Sequence, residues 1–256
     1  TTRGIMASFA GPNITNNNLA FNLDAGNVKS YPGSGATWND LAGTEIHGTV
    51  NSATYTDNAH GKYFAFDGTD DYISFAMGGG DPEQLKLHTW STECWFQWHS
   101  GGSTAGTGGG GVSMYPLVTK GCGEEDANNK DMNYGMGIDT NGKLVADFER
   151  HPNGSNHPVT SNGTIVQNVW THALISYDGA SWGVYINGAH DRTSAKNVTA
   201  RYDSIQHNGI GACIQSTGNV VGRFSGKIAI ARIYNRALTA AEVLDNYNSH
   251  KGRFGL

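Results

Sequence analysis

Three features of this sequence predict an all-β fold: two antiparallel sheets packed face to face as a β-sandwich, with one short C-terminal helix. Glycine supplies 36 of the 256 residues and only 15% of residues are charged, a composition suited to many short strands joined by tight turns. Apolar residues recur at the period of two that sends successive side chains to opposite sheet faces, most clearly in Trp170–Gly188 and Trp90–Trp98. Helical spacing appears only near the C-terminus. No break in composition divides the chain, and one sandwich of this size is an ordinary single domain. Segment 1–18 has no sustained period and contains Gly11-Pro12 and Asn16-Asn17-Asn18, so an extended N-terminal arm is expected before a domain over 19–256.

Net charge is −5 and the lysines and arginines are scattered. Nucleic acid is therefore not an expected partner, because phosphate binding needs a concentrated positive field. No apolar run approaches the ~18 residues needed to cross a bilayer, so no membrane insertion is expected. The three cysteines are an odd count without metal spacing. Cys94 falls inside an apolar strand and is expected in the core. Cys122 and Cys213 fall in glycine-rich loops, and they are the pair a disulfide would join.

Leu19–Leu23 places Leu19, Phe21 and Leu23 on one face as a first strand, and Tyr31–Gly35 reads as a loop before the anchors Trp38 and Leu41. Tyr63–Phe66 and Tyr72–Phe75 are short aromatic strands around a predicted hairpin turn, Phe66–Asp71 (FDGTDD). Trp90–Trp98 sends Trp90, Thr92, Cys94, Phe96 and Trp98 to one face and Glu93, Trp95 and Gln97 to the other. The glycine-rich His99–Gly111 then reads as a flexible surface loop; it is no phosphate cradle, since no Lys-Ser or Lys-Thr pair and no helix follow it. Met114–Thr119, Tyr134–Ile138 and Leu144–Phe148 continue the strands. Trp170–Gly188 is a hairpin turning at Asp178–Ser181 and closed by Asn187-Gly188. Gly226–Tyr234 is apolar on both faces, with Ile228, Ile230 and Arg232 on one and Ala229, Ala231 and Ile233 on the other, so it is expected between layers. Thr239 and Glu242 form a capping box, followed by Val243, Leu244 and Tyr247 at helical spacing.

Groups able to carry chemistry are few. Asp67 and Asp70, with Asp71, crowd carboxylates that suit calcium, but an EF-hand is excluded by the missing downstream ligands, and Asp and Gly are also ordinary turn residues. The loop Lys120–Asn133 gathers Glu124, Glu125, Asp126 and Asp131, either as a cation or sugar-hydroxyl site or as a solvated connection. Asp147 and Glu149 stand two apart on a strand, as a glycosidase pair would. His151 and His157 lack a third metal ligand. No Gly-x-Ser-x-Gly elbow occurs. Sequons begin at Asn13, Asn153, Asn162 and Asn197.

Four segments together, NLDAGNVKSYPGSGATWNDLAG, FDGTDDYI, the WTHALISYDGASWGVYING hairpin and GKIAIARIYNRALTAAEVLDNYN, resemble the laminin-G-like, concanavalin A-like jelly-roll superfamily. The SYPGSG loop and the RIYNRALTAAEVLDNYN ending are similar to the variant in virion structural proteins of tailed bacteriophages. The resemblance implies a jelly roll, and a non-enzymatic virion-surface or adhesive domain whose partners are other virion proteins, met through the arm, and cell-surface glycans. Many relatives carry an acid where this chain has Ala229 or Ile230, which weakens the structural calcium of the family; Asp24, Asp67 and Asp70 remain the candidate ligands, and no other cofactor is implied. The Glu-x-Asp-x-x-Glu strand of related glycan-cleaving enzymes is absent. A secreted carbohydrate-binding module, or a glycan hydrolase or lyase, is the alternative. Sugar recognition uses ring stacking and directed hydrogen bonds, for which Trp98, His99, Tyr115, Asn133 and Tyr134 are the candidates.

Overall fold

The computed structural model describes residues 13–58, 61–77, 82–124 and 130–256. Two large antiparallel sheets pack face to face. The first runs, in spatial order, through Ala189–Ala195, Ser181–Ile186, Trp170–Tyr177, Trp90–Trp98, Ser225–Tyr234, Gly61–Asp67 and Thr54–Asn58, and Leu19–Asp24 also pairs with Ser225–Tyr234. The second runs Val159–Thr160, Leu144–Asp147, Tyr134–Ile138, Ser113–Lys120, Asn208–Ile210, Tyr72–Phe75, Gly48–Asn51 and Thr37–Trp38, with Ala105–Gly106 on the side of Ser113–Lys120. The core lies between them. Trp90, Cys94, Phe96 and Trp98 point into it from the first sheet, and Leu117, Tyr134, Met136 and Ile138 meet them from the second. No helix among the described residues is long and apolar enough to cross a membrane.

The alternation of Trp90–Trp98 is as the sequence predicts, and the hairpin turns have a local cause. Asp178 Oδ1 accepts from Ala180 N at 2.8 Å and Ser181 N at 2.7 Å. Asn187 and Gly188 both take positive φ, 51° and 75°, which a two-residue hairpin turn of matching twist requires. Glu93, Leu174 and Arg232 project from the outer face, yet they are buried because the helix Ala240–His250 lies over them. Thr239 and Glu242 cap that helix reciprocally. Of the arm, residues 13–18 are described: Thr15 N donates to Asn246 Oδ1 of the helix at 2.8 Å and Asn235 N to Asn18 O at 2.9 Å. Residues 1–12 lie outside the described residues.

Several expectations are corrected. Tyr63–Phe66 and Tyr72–Phe75 are not a hairpin; their strands lie in different sheets, and FDGTDD is a crossover between layers. In Ser225–Tyr234 the pairing slips between Ile228 and Ile230 opposite Phe96 and Trp95, a bulge that reverses the alternation. Ile228 therefore joins Ala231 and Ile233 in the core, while Ala229 and Ile230 face outward. Cys122 and Cys213 are not in open loops and are not disulfide-bonded. They are free thiols, fully buried and hydrogen-bonded to each other, and this contact first, then burial, pushes the Cys122 thiol far up.

Candidate functional site

The glycine-rich stretch after Trp98 lies at the surface, as expected, with most of its residues exposed, and it is anchored at two points. Ala105 and Thr107 are buried, and a Cβ on Gly123 would stand 2.6 Å from Gly108 N, so only glycine lets the two loops touch. Gly123 N donates to Gly106 O at 2.9 Å. Asp147 ties these loops to the sheet. Its Oδ1 accepts from Phe148 N at 2.8 Å and His157 N at 2.9 Å, and its Oδ2 from Thr107 Oγ1 at 2.6 Å and Asn156 Nδ2 at 2.9 Å.

Four segments so fixed enclose a cleft of about 760 Å³. It is walled by Gly108 and Gly109 from the glycine loop, Glu124 and Asp131 from the acidic loop, Glu149 and Asn156 from the turn after Leu144–Asp147, and Gln215 from the hairpin that follows Cys213. Among the described residues its lining holds no aromatic ring.

The acids are placed by named contacts. Glu149 Oε2 accepts from Asp131 N at 3.0 Å and pairs with Arg201 Nε at 3.1 Å. Glu124 Oε2 accepts from Ser216 Oγ at 2.7 Å, Ser216 N at 3.1 Å and Gln206 Nε2 at 3.2 Å, and Glu124 N donates to Asp131 Oδ2 at 3.1 Å. Burial first, then the negative charge of Asp131, raises Glu149 to about 7 against the pull of Arg201. Burial likewise raises Asp147 to about 6, although its four donors oppose it. Such a cleft accepts hydrogen bonds, attracts positive charge and repels anions.

Asp147 and Glu149 do not act as a facing pair. Glu149 lines the cleft, whereas all the bonds of Asp147 go to loop anchoring. Trp98 and Tyr115 come together at 6.0 Å between ring centroids, with His99 Nε2 3.2 Å from Gln97 Oε1. Asn133 and Tyr134 lie elsewhere and fully buried: Asn133 holds Leu87 N at 3.0 Å and Leu87 O at 2.8 Å, and Tyr134 Oη donates to Asn208 Oδ1 at 2.8 Å. Asp24 carries Arg253 at 2.5 Å and sits apart from the other calcium candidates. Asp67, Asp70 and Asp71 do bring carboxylate oxygens within 4.8 Å of one another, but Asp71 is spent on Asp67 N at 2.7 Å and Asp70 on Ser52 Oγ at 3.0 Å. Glu125 and Asp126 lie outside the described residues. Sequence reasoning does not bring these residues together as one cleft; the signal lies in the acidic loop, the glycine loop and Glu149, each ambiguous alone.

A family model described as the concanavalin A-like lectin/glucanases superfamily matches residues 67–244. Among solved structures, the binding domain of paraclostridial mosquitocidal protein 1 is similar with a TM-score of 0.61 and 17% identity, over 91% of this chain and 52% of that one. Trypanosoma rangeli sialidase, solved with 2,3-difluorosialic acid, has a TM-score of 0.60 and 15% identity over 92% and 33%. Domain 4 of the extracellular GH43 arabinanase AbnA from Geobacillus stearothermophilus, solved with arabinotriose, has a TM-score of 0.60 and 18% identity over 90% and 98%. The chain thus spans about half of the toxin domain and a third of the sialidase, and these likenesses are of fold. None of the curated proteins matches it.

Proposed function

The chain belongs to the concanavalin A-like lectin/glucanases superfamily, and on that premise we propose that it is a non-enzymatic, glycan-binding adhesion domain that works at the surface of a virion. The acid-lined cleft carries the reading. Its volume, about 760 Å³, suits a ligand of a few sugar rings. With three carboxylates and two amides at its walls and no ring among the described lining residues, it favours neutral or amino-bearing sugars held by hydroxyl contacts. A carboxylated sugar of the kind bound in the sialidase structure would meet like charge there.

The commitment of Asp147 to loop anchoring, and of Glu124 to Ser216 and Gln206, supports binding over hydrolysis. The virion assignment is supported by the SYPGSG and RIYNRALTAAEVLDNYN segments, and segment 1–18 is proposed to join the domain to its neighbours in the particle. Three measurements test the proposal. A glycan array should return neutral or amino-sugar ligands whose binding falls at least ~tenfold in Glu124→Gln/Glu149→Gln, the loss of about one charge-assisted hydrogen bond. Reducing ends should not appear when those ligands are incubated with the protein. Mass spectrometry should find the chain in purified virions. Cleavage by the unmutated protein would overturn the non-enzymatic reading.

A further inference from the structure

The outer face of the first sheet holds a second recess, of about 540 Å³, lined by Asn58, Tyr63, Gln97, Trp170, Lys227 and Phe254. The register explains it. Trp170 pairs with Gln97, Gln97 with Lys227 and Lys227 with Ala65, so the four residues form one row across four strands on a single face. Ala65 is the small member, and it leaves room beside the lysine. The row lies just beyond the edge of the C-terminal segment, where Phe254 stacks on Trp95 at 4.4 Å and meets Trp170 at 4.6 Å. Tyr63 meets Trp170 edge-on at 5.7 Å. The rings brace one another into a fixed wall.

Two cations stand against that wall: Arg253, over Phe254 at 5.0 Å, is paired with Asp24, and Lys227 faces the recess. Lys227 Nζ lies 5.0 Å from the centroid of the Tyr63 ring, and no carboxylate among the described residues pairs with it. Gln97 is anchored through Nε2 to Asn168 O at 2.7 Å, and its Oε1 lies 3.2 Å from His99 Nε2. Burial, with the nearby Lys227 charge, lowers the His99 pKa, so the positive charge near neutral pH belongs to the lysine.

From this juxtaposition of an ammonium without a carboxylate partner and a braced aromatic wall, we infer a second binding site, for a sugar that carries a carboxylate. The carboxylate meets the lysine in a charge-assisted hydrogen bond, and the C–H edges of the pyranose ring rest on the ring edges that Tyr63, Trp170 and Phe254, each only 7–8% exposed, still present to the recess. A bare phosphate or sulfate ion would satisfy the lysine and make no use of those ring edges. The site is opposite in sign to the acidic cleft and does not depend on what that cleft binds.

The test is calorimetric titration at pH 7 and low ionic strength with a hexasaccharide of alternating glucuronate and N-acetylglucosamine, and with the same hexasaccharide after reduction of its carboxylates to alcohols. The acid form should bind at least ~tenfold tighter than the reduced form, the effect of one charge-assisted contact. Lys227→Ala should abolish that difference and Lys227→Arg should keep most of it. Equal binding of the two probes, no binding of the acid probe, or an unchanged difference in Lys227→Ala would overturn the inference. So would displacement of the acid probe by an equal concentration of inorganic sulfate or phosphate, which would mark an adventitious ion only. Failure of the acidic cleft to bind sugars would leave the difference between the two probes intact.

Discussion

Two glutamates of this protein are almost wholly buried, and their surroundings drive them in opposite directions. Glu93, under the C-terminal helix, is pushed up by burial, but Arg232 at 2.7 Å and then His172 at 3.3 Å more than offset it and hold the carboxyl at about 2; the Asn246 amide also donates to it at 2.7 Å. Glu149, at the cleft, is pushed up by burial and by Asp131, and settles at about 7. Both have an arginine. Arg232 pairs with one carboxylate, Glu93, with Asn22 Oδ1 at 2.9 Å and His250 Nε2 at 3.2 Å as further partners, whereas Arg201 is shared between two carboxylates, Glu149 and Asp203, and Pro152 O. Burial alone therefore does not make a functional carboxyl; what matters is whether the neighbours complete its neutralisation. The first environment fastens a helix to a sheet, and the second keeps a proton-sensitive group open to a cavity.

The largest test of this contrast is Arg232→Leu, which strands Glu93 without its main counter-charge and is expected to cost about 3–5 kcal/mol in denaturant unfolding. Adding Glu93→Leu should restore part of that loss, because the stranded charge is gone; no recovery would mean that Arg232 acts through packing instead. Asp147→Asn comes next at about 1–3 kcal/mol, since an amide cannot accept from all four donors. Thr239→Ala removes one half of the capping box that fixes the helix over Glu93, and about 1 kcal/mol of stability should go with it.

The most diagnostic test lies in pH dependence. Glu93 has a folded pKa below its ordinary 4.5, so its contribution to stability is complete above that pH and is lost as pH falls toward 2. Glu149 has a folded pKa above its ordinary 4.5, so the folded state loses stability as pH rises from there through 7. Melting curves of Glu149→Gln across pH 5–8 should accordingly be flatter than those of the unmutated protein, with Asp147 supplying the slope that remains. Identical slopes would show that the cleft does not raise Glu149.

Much of the architecture was legible because strand periodicity is local. The alternation of Trp90–Trp98, the Asn187-Gly188 turn and the Thr239–Glu242 capping box are each written within a few residues, and each is present. The site was only partly legible. Glu149, the acidic loop and the glycine loop were all visible as candidates, but their value depends on meeting, and no local pattern states that residues 108, 124, 131, 149 and 215 share one cavity. Asn133 and Tyr134 show the converse: polar and aromatic residues that suit sugar contact by type are enclosed by the sheet and consumed by internal bonds.

The sequence by itself determined that the chain forms strands, which side chains share a face within an unbroken strand, and where the one helix begins, because backbone sterics and period-two burial act over short distances. Only the tertiary structure decided which sheet each strand joins, where the bulge at Ala229 reverses a face, and that one buried glutamate is neutralised while another stays poised near 7. Those outcomes depend on charges and packing partners brought together from distant parts of the chain, and electrostatic energy is set by distance in space.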